Sequence, residues 1–166
     1  IYAQTASKRH TTELDAFTGI DANQTISANT EAFRVDDQLI LKAQRFNCLN
    51  IMWQPIAVDA QIQNLEQLIE NPPHVLILQG FGTGNIAVND KLIQVLKSIQ
   101  AKNCAVIINS QVPFGSLDQR YAVSEWITHA NFLVSNSFSH ADLYAKALKM
   151  YLKYDSVEQW HDHWIN

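Results

Sequence analysis

Basic residues are not in excess in this sequence, which has 12 lysines and arginines against 16 aspartates and glutamates. The formal net charge is −4, and the positive residues are scattered among acidic ones. A phosphate backbone is bound by clustered lysine and arginine side chains, so no nucleic-acid partner is expected.

Long apolar runs are also lacking. The longest, such as residues 75–78 and 105–108, fall far short of the roughly 20 residues that span a bilayer. Cysteine is scarce, and Cys48 and Cys104 each lie in an apolar run. We therefore expect no membrane partner, and two buried thiols rather than a disulfide or a reactive site.

A folded core is indicated by the remaining composition, which is 47% hydrophobic and only 17% charged. Short apolar runs rich in branched residues predict buried strands, and stripes of apolar residues at helical spacing lie between them. The predicted strands are 48–53, 75–79, 104–109 and 132–134. Strands that alternate with helices predict an α/β fold, a three-layer, doubly wound (flavodoxin-like) domain with about four parallel strands.

Two helices are predicted to close the chain, and a polar segment opens it. The helical stripe over 141–154 is followed by Asp155, which we expect to cap a final helix with Glu158 three residues later. Residues 1–30 are rich in Thr, Ser, Asn and Asp, which favours a loop or hairpin.

A glycine-containing segment, residues 80–85 (GFGTGN), follows the second predicted strand. The carboxyl ends of strands in open α/β sheets are where ligands bind, so this is either a small-molecule loop or a tight structural turn. Its G-x-G-x-G spacing, and the absence of an acidic residue after the next strand, argue against a dinucleotide site. A second polar loop, 110–121, is expected at the same edge.

Two stretches carry a resemblance to a known family. HVLILQGFGTGN (74–85), followed by a helix and AVIINSQVPFGSLDQRY (105–121), is similar to a passage of bacterial L-asparaginases of the cytoplasmic type I kind. Lys8, residues 15–17 and Asn23 resemble the end of that family's N-terminal domain. A weaker match places residues 137–139 and Lys146 at a D-M-T segment and the helix after it.

The resemblance implies an organisation and an activity. Residues 1–30 would be the tail of a preceding N-terminal domain, 31–46 a linker, and 47–166 the C-terminal α/β domain. The activity would be hydrolysis of L-asparagine to L-aspartate and ammonia in a cytoplasmic homodimer or homotetramer, without a cofactor or metal. A preference for asparagine over glutamine does not follow from the sequence.

Site residues are carried over from the same resemblance. Asn85, with Thr83 and Gly84, would contact substrate at a subunit interface, because a side-chain amide can both accept from an ammonium group and donate to a carboxylate. The loop containing Ser110, Gln111 and Tyr121 would be an effector or interface loop. Three places depart from the family pattern: Ser137 replaces an aspartate, Ile20 and Asp21 replace the Ser-Pro before Asn23, and Val112 stands where a cysteine near an allosteric asparagine site is common. The resemblance therefore does not predict effector regulation.

No catalytic residue is assigned within the chain. The family's nucleophile lies in a T-G-G-T motif and its assisting groups in a T-D-T motif, and the sequence contains neither; the nearest approach, Thr18-Gly19, continues differently. We expect the nucleophile upstream of Ile1 and this chain alone to be inactive. His161-Asp-His163 does not predict a metal site, because two histidines two apart on a helix point to different sides.

Two alternatives use the same fold. One is an α/β module for binding or dimerisation without catalysis, which the absence of a nucleophile motif favours. The other is an amidotransferase subunit that releases ammonia from an amide, which would require an N-terminal appendage and a partner protein.

Overall fold

The structure of the protein, a computed structural model, describes residues 7–8, 17–18, 34–81, 86–110, 125–135 and 140–164. The chain forms two compact units. One combines Ile1–Phe46 with Phe138–Leu152, and the other combines Asn47–Ser137 with Lys153–Asn166. In the first unit, strands β1 (Ser7–Lys8) and β2 (Phe17–Thr18) pair in antiparallel fashion.

Two helices of the first unit are described, α1 (Asp37–Gln44) and α5 (His140–Lys153). The carboxylate of Asp36 caps α1 by accepting from the Leu39 N–H at 2.9 Å. The Phe46 ring, just after α1, lies 5.5 Å from Tyr144 and 5.1 Å from Tyr151 of α5, centroid to centroid. Helix α1 falls within residues 31–46, which the sequence assigned to a linker, and the proposed domain boundaries stay a prediction.

The second unit contains a four-stranded parallel sheet. Its strands are β3 (Cys48–Met52), β4 (Val75–Gly80), β5 (Ala105–Ser110) and β6 (Leu133–Val134), in that spatial order. All four predicted strands are therefore confirmed, with ends that shift by one residue. Gly80 and Ser110 belong to their strands rather than to the loops, because they pair with each other.

Three helices connect consecutive strands of this sheet, and a fourth follows later in the chain. They are α2 (Val58–Glu66), α3 (Asp90–Gln100), α4 (Glu125–His129) and α6 (Val157–His163). Helix α4 was not predicted, since five residues are too few for a clear apolar stripe. The predicted cap at Asp155 was wrong by one residue. Ser156 caps α6, and Gln159 completes a capping box.

The central strands β4 and β5 are buried on both faces, and helices lie on both sides of the sheet, which confirms the three-layer α/β fold. Leu76, Leu78, Val106 and Ile108 pack with residues of α2, α3 and α4 in one core. The alternate residues Val75, Ile77, Ala105 and Ile107 are buried on the opposite face. Within the described residues, no helix is long and apolar enough to cross a membrane.

The prediction of two buried thiols holds for Cys104 and only in part for Cys48. Both are free thiols, Cys104 buried and Cys48 half-buried. Burial raises the pKa of Cys104 to about 12 and that of Cys48 to about 11. Because the thiolate is the reactive form, neither side chain is activated as a nucleophile.

Candidate functional site at the carboxyl edge of the sheet

The last residues of β4 and β5, Gly80 and Ser110, are register partners in the parallel sheet. The segments that follow these strands therefore start side by side at the carboxyl edge, where open α/β sheets bind ligands. The predicted substrate contacts Thr83, Gly84 and Asn85 lie outside the described residues. So do Gln111 and Tyr121, and Ser110 is described only by its strand backbone.

Ala87, which follows residues 82–85 in the chain, is held to the sheet by Trp53. This side chain is 1% exposed. Its backbone N–H donates to the Gln79 carbonyl at 2.9 Å, and its indole Nε1 donates to the Ala87 carbonyl at 3.3 Å. Helix α3 then begins with Asn89 as its cap, which accepts from the Leu92 N–H at 2.9 Å. The described backbone on both sides of residues 82–85, at Gln79 and at Ala87, is thus held by hydrogen bonds to Trp53.

The loop after β3 is also held at this edge. The side chain of Gln61 accepts from the Gln54 N–H at 2.9 Å and donates to the carbonyls of Gln54 and Ile56 at 2.9 and 2.8 Å. Ala57, which ends this loop, has a φ of 52° in the left-handed region. Three hydrogen bonds from one side chain hold this conformation, so the loop has a defined shape.

Three polar side chains are buried next to the carboxyl edge, and we call them the polar row: Gln79, Asn109 and Ser135. Gln79 and Asn109 are register partners on β4 and β5. Ser135 follows β6 and continues the ladder, since its N–H donates to the Ile108 carbonyl at 3.0 Å. Their exposed fractions are only 5%, 4% and 1%.

Two members of the polar row have side-chain atoms without a hydrogen-bond partner in the part of the chain that is described. They are Nδ2 of Asn109 and Oγ of Ser135. Such buried polar atoms each cost about 1–3 kcal/mol of stability, and in native proteins they are uncommon. The sequence contained a signal for the row, because each of these apolar runs ends in a polar residue (VLILQ, VIIN, FLVS).

An ionisable pair, the buried Asp142 and the half-buried Lys146, lies in the first unit on helix α5. Asp142 is 2% exposed, and burial raises the pKa of its carboxyl to about 6, with Lys146 opposing the shift. Burial likewise lowers the pKa of Lys146, four residues later, to about 8. Lys146 is the residue that the third family match singled out.

The histidines of α6 do not assemble a ligand set. Nδ1 of His163 lies 2.9 Å from the Gln159 carbonyl, and burial lowers the pKa of His161. Among the residues that the structure describes, no group of three His, Cys, Asp or Glu side chains could hold a metal ion.

Comparisons with known proteins show what this architecture is similar to. No protein-family model matches the sequence, and no curated protein matches it either. The structure is similar to that of L-asparaginase I from Vibrio cholerae, with a TM-score of 0.62 and 19% identity over 72% of this chain and 35% of that one. It is also similar to the thermostable L-asparaginase from Thermococcus kodakarensis, with a TM-score of 0.69 and 17% identity.

The match to the Thermococcus kodakarensis protein covers 96% of this chain and 50% of that one. The chain thus spans half or less of the length of these two solved structures. At such low identity the likeness concerns the fold, and it agrees with the family that the two loop sequences resemble. The chain therefore has the α/β fold found in one part of L-asparaginases.

Proposed function

We propose that this chain is the C-terminal domain of an L-asparaginase that hydrolyses L-asparagine to L-aspartate and ammonia, and that it supplies substrate-contacting and subunit-interface residues. The observation that supports this most is the pairing of Gly80 with Ser110. Because of this pairing, the two loops that resemble asparaginase sequences begin side by side at the edge where open α/β sheets bind ligands. The sheet belongs to a fold that is also found in L-asparaginase structures.

Within this proposal, Asn85 forms hydrogen bonds with the polar groups of the substrate, and Thr83 and Gly84 contact the substrate beside it. An amide side chain offers one acceptor and two donors, which suits an α-amino acid that presents both an ammonium and a carboxylate group. Ser110, Gln111 and Tyr121 belong to the neighbouring loop, which serves an effector or a subunit interface.

The proposal divides the chemistry between two parts of a larger protein. Amide hydrolysis needs an activated nucleophile, a base and an oxyanion stabiliser held together. The described thiols are deactivated by burial, and the sequence has neither threonine motif of the family. Under this proposal the nucleophile is supplied by another segment of a larger protein, which would act as a cytoplasmic homodimer or homotetramer.

Kinetics of an Asn85→Ala variant test this function. The protein is expressed from the complete reading frame that contains this sequence, and ammonia release from L-asparagine is measured. Loss of a hydrogen bond to a charged substrate group should lower kcat/KM by about tenfold to a hundredfold, with little change in melting temperature. The matched control is Asn64→Ala on the exposed surface of α2, which should change neither quantity.

The opposite pattern would contradict the proposal. If Asn85→Ala leaves kcat/KM unchanged but lowers the melting temperature, Asn85 is a turn residue. If the complete protein binds L-asparagine without releasing ammonia, the chain belongs to a binding module rather than an amidohydrolase.

A further inference from the structure

The polar row consists of neutral side chains in a place where apolar ones would serve packing better. The residues just before Gln79, Asn109 and Ser135 on their strands are apolar, and those on the same face, such as Ile77, Ile107 and Leu133, are buried. An apolar residue of similar volume at Asn109 would avoid the cost of the unpartnered amide. Local rules of packing are broken at functional sites more often than elsewhere.

The position of the row is the second observation. Gln79 and Asn109 each immediately precede the Gly80–Ser110 pair, so they stand one residue before the points from which the two candidate loops depart. Ser135 occupies the corresponding place after β6. All three therefore lie along the sheet edge to which the proposed function assigns ligand binding.

We propose that Asn109 and Ser135 are further ligand-binding residues, which donate hydrogen bonds from Nδ2 and Oγ to an oxygen atom of the amino-acid amide substrate. This inference rests on the proposed function and adds two residues to it. The amide N–H of Asn109 and the hydroxyl of Ser135 are both hydrogen-bond donors, so the ligand group that they fit is a carboxylate or carbonyl oxygen. Their burial excludes competing water, which strengthens such bonds.

A ligand role and a structural role make opposite predictions for stability. If the two groups are reserved for a ligand, Ser135→Ala and Asn109→Leu remove unsatisfied polar atoms, so the ligand-free protein should melt at the same temperature or a few degrees higher. The same variants should raise the Kd for L-asparagine by about tenfold each, the value of one lost hydrogen bond.

Ser156→Ala is the matched control. The Ser156 hydroxyl is a satisfied one, since it accepts from the Gln159 N–H at the start of α6. Its removal should lower the melting temperature and leave the Kd for L-asparagine unchanged.

The experiment measures melting temperature and L-asparagine binding for the complete protein and these three variants. If Ser135→Ala lowers the melting temperature as much as Ser156→Ala does and leaves the Kd unchanged, the hydroxyl is structural and the inference is overturned. If the wild type releases no ammonia, the proposed function fails. The inference is then tested by NMR measurements of the binding of L-asparagine and L-aspartate. Loss of binding in Ser135→Ala then supports it, and equal or absent binding in wild type and variant overturns it.

Discussion

The side chain of Asn103 accepts a hydrogen bond from the Val157 backbone N–H, Oδ1 to N, at 2.9 Å. Its Nδ2 also donates to the Asp155 carbonyl at 3.0 Å. Asn103 itself has a φ of 65°, in the left-handed region that asparagine tolerates after a helix. One residue therefore turns the chain after α3 and holds the start of α6.

Replacing Asn103 with glycine should separate these two roles, because glycine keeps the left-handed backbone and loses the side chain. Asn131→Gly is the matched control, since Asn131 has a φ of 57° and its side chain makes no hydrogen bond in the described part of the chain. We expect Asn103→Gly to be more destabilising by about 1–2 kcal/mol. Urea denaturation measures both free energies of unfolding, and equal losses would show that the contacts to α6 contribute nothing.

The edge strand β6 is covered by an indole. Nε1 of Trp164 donates to the Val134 carbonyl at 2.7 Å. Trp164→Phe should therefore lower the free energy of unfolding by about 1 kcal/mol more than Trp126→Phe does. The buried Nε1 of Trp126 has no hydrogen-bond partner among the described residues, so both variants shrink a ring and only the first loses a bond. A larger loss in Trp126→Phe would contradict this view.

Much of the fold follows from local sequence patterns. The short run of branched apolar residues before Gly80 favours a buried strand of a parallel sheet, and the stripe that includes Leu92 and Ile99 favours a helix that faces a core. The end of a strand is harder to place. Whether Ser110 pairs or turns depends on the neighbouring Gly80, a contact that no local pattern contains.

The polar row was missed for the same reason. The sequence shows a polar residue at the end of each run, but periodicity does not say that Asn109 and Ser135 lie on one face beside each other. That requires the strand order, which the chain sets through long-range pairing. The helix α6 is capped by Ser156 rather than by the predicted Asp155. Asn103, over fifty residues earlier, holds the backbone at Asp155 and Val157, and this long-range contact is not visible in the local sequence.

Stability should depend on the protonation of His74. Nδ1 of this ring accepts from the Asn47 N–H at 3.0 Å, which only the neutral ring can do. Burial lowers the pKa of His74 below its ordinary value of 6.5. As the pH falls, the unfolded chain takes up the proton first, so this contribution is complete above about pH 6.5 and is lost below it.

Urea denaturation at pH 7.5 and pH 5.0 tests this dependence. The control is His74→Gln, whose side chain can accept the same hydrogen bond without titrating in this range. The free energy of unfolding of the wild type relative to His74→Gln should decrease from pH 7.5 to pH 5.0. The same difference at both pH values would show that protonation of His74 does not change the free energy of unfolding.

Ammonia release by the 166-residue chain itself is the most direct test of the central claim, that this is one domain of an asparaginase whose nucleophile lies elsewhere. The assay compares the chain alone, the protein from the complete reading frame, and the chain mixed with the separately expressed upstream part. We predict no ammonia above the uncatalysed rate from the chain alone, and release from the complete protein and from the mixture. Release from the chain alone would contradict the account and would make Ser110 the first residue to substitute.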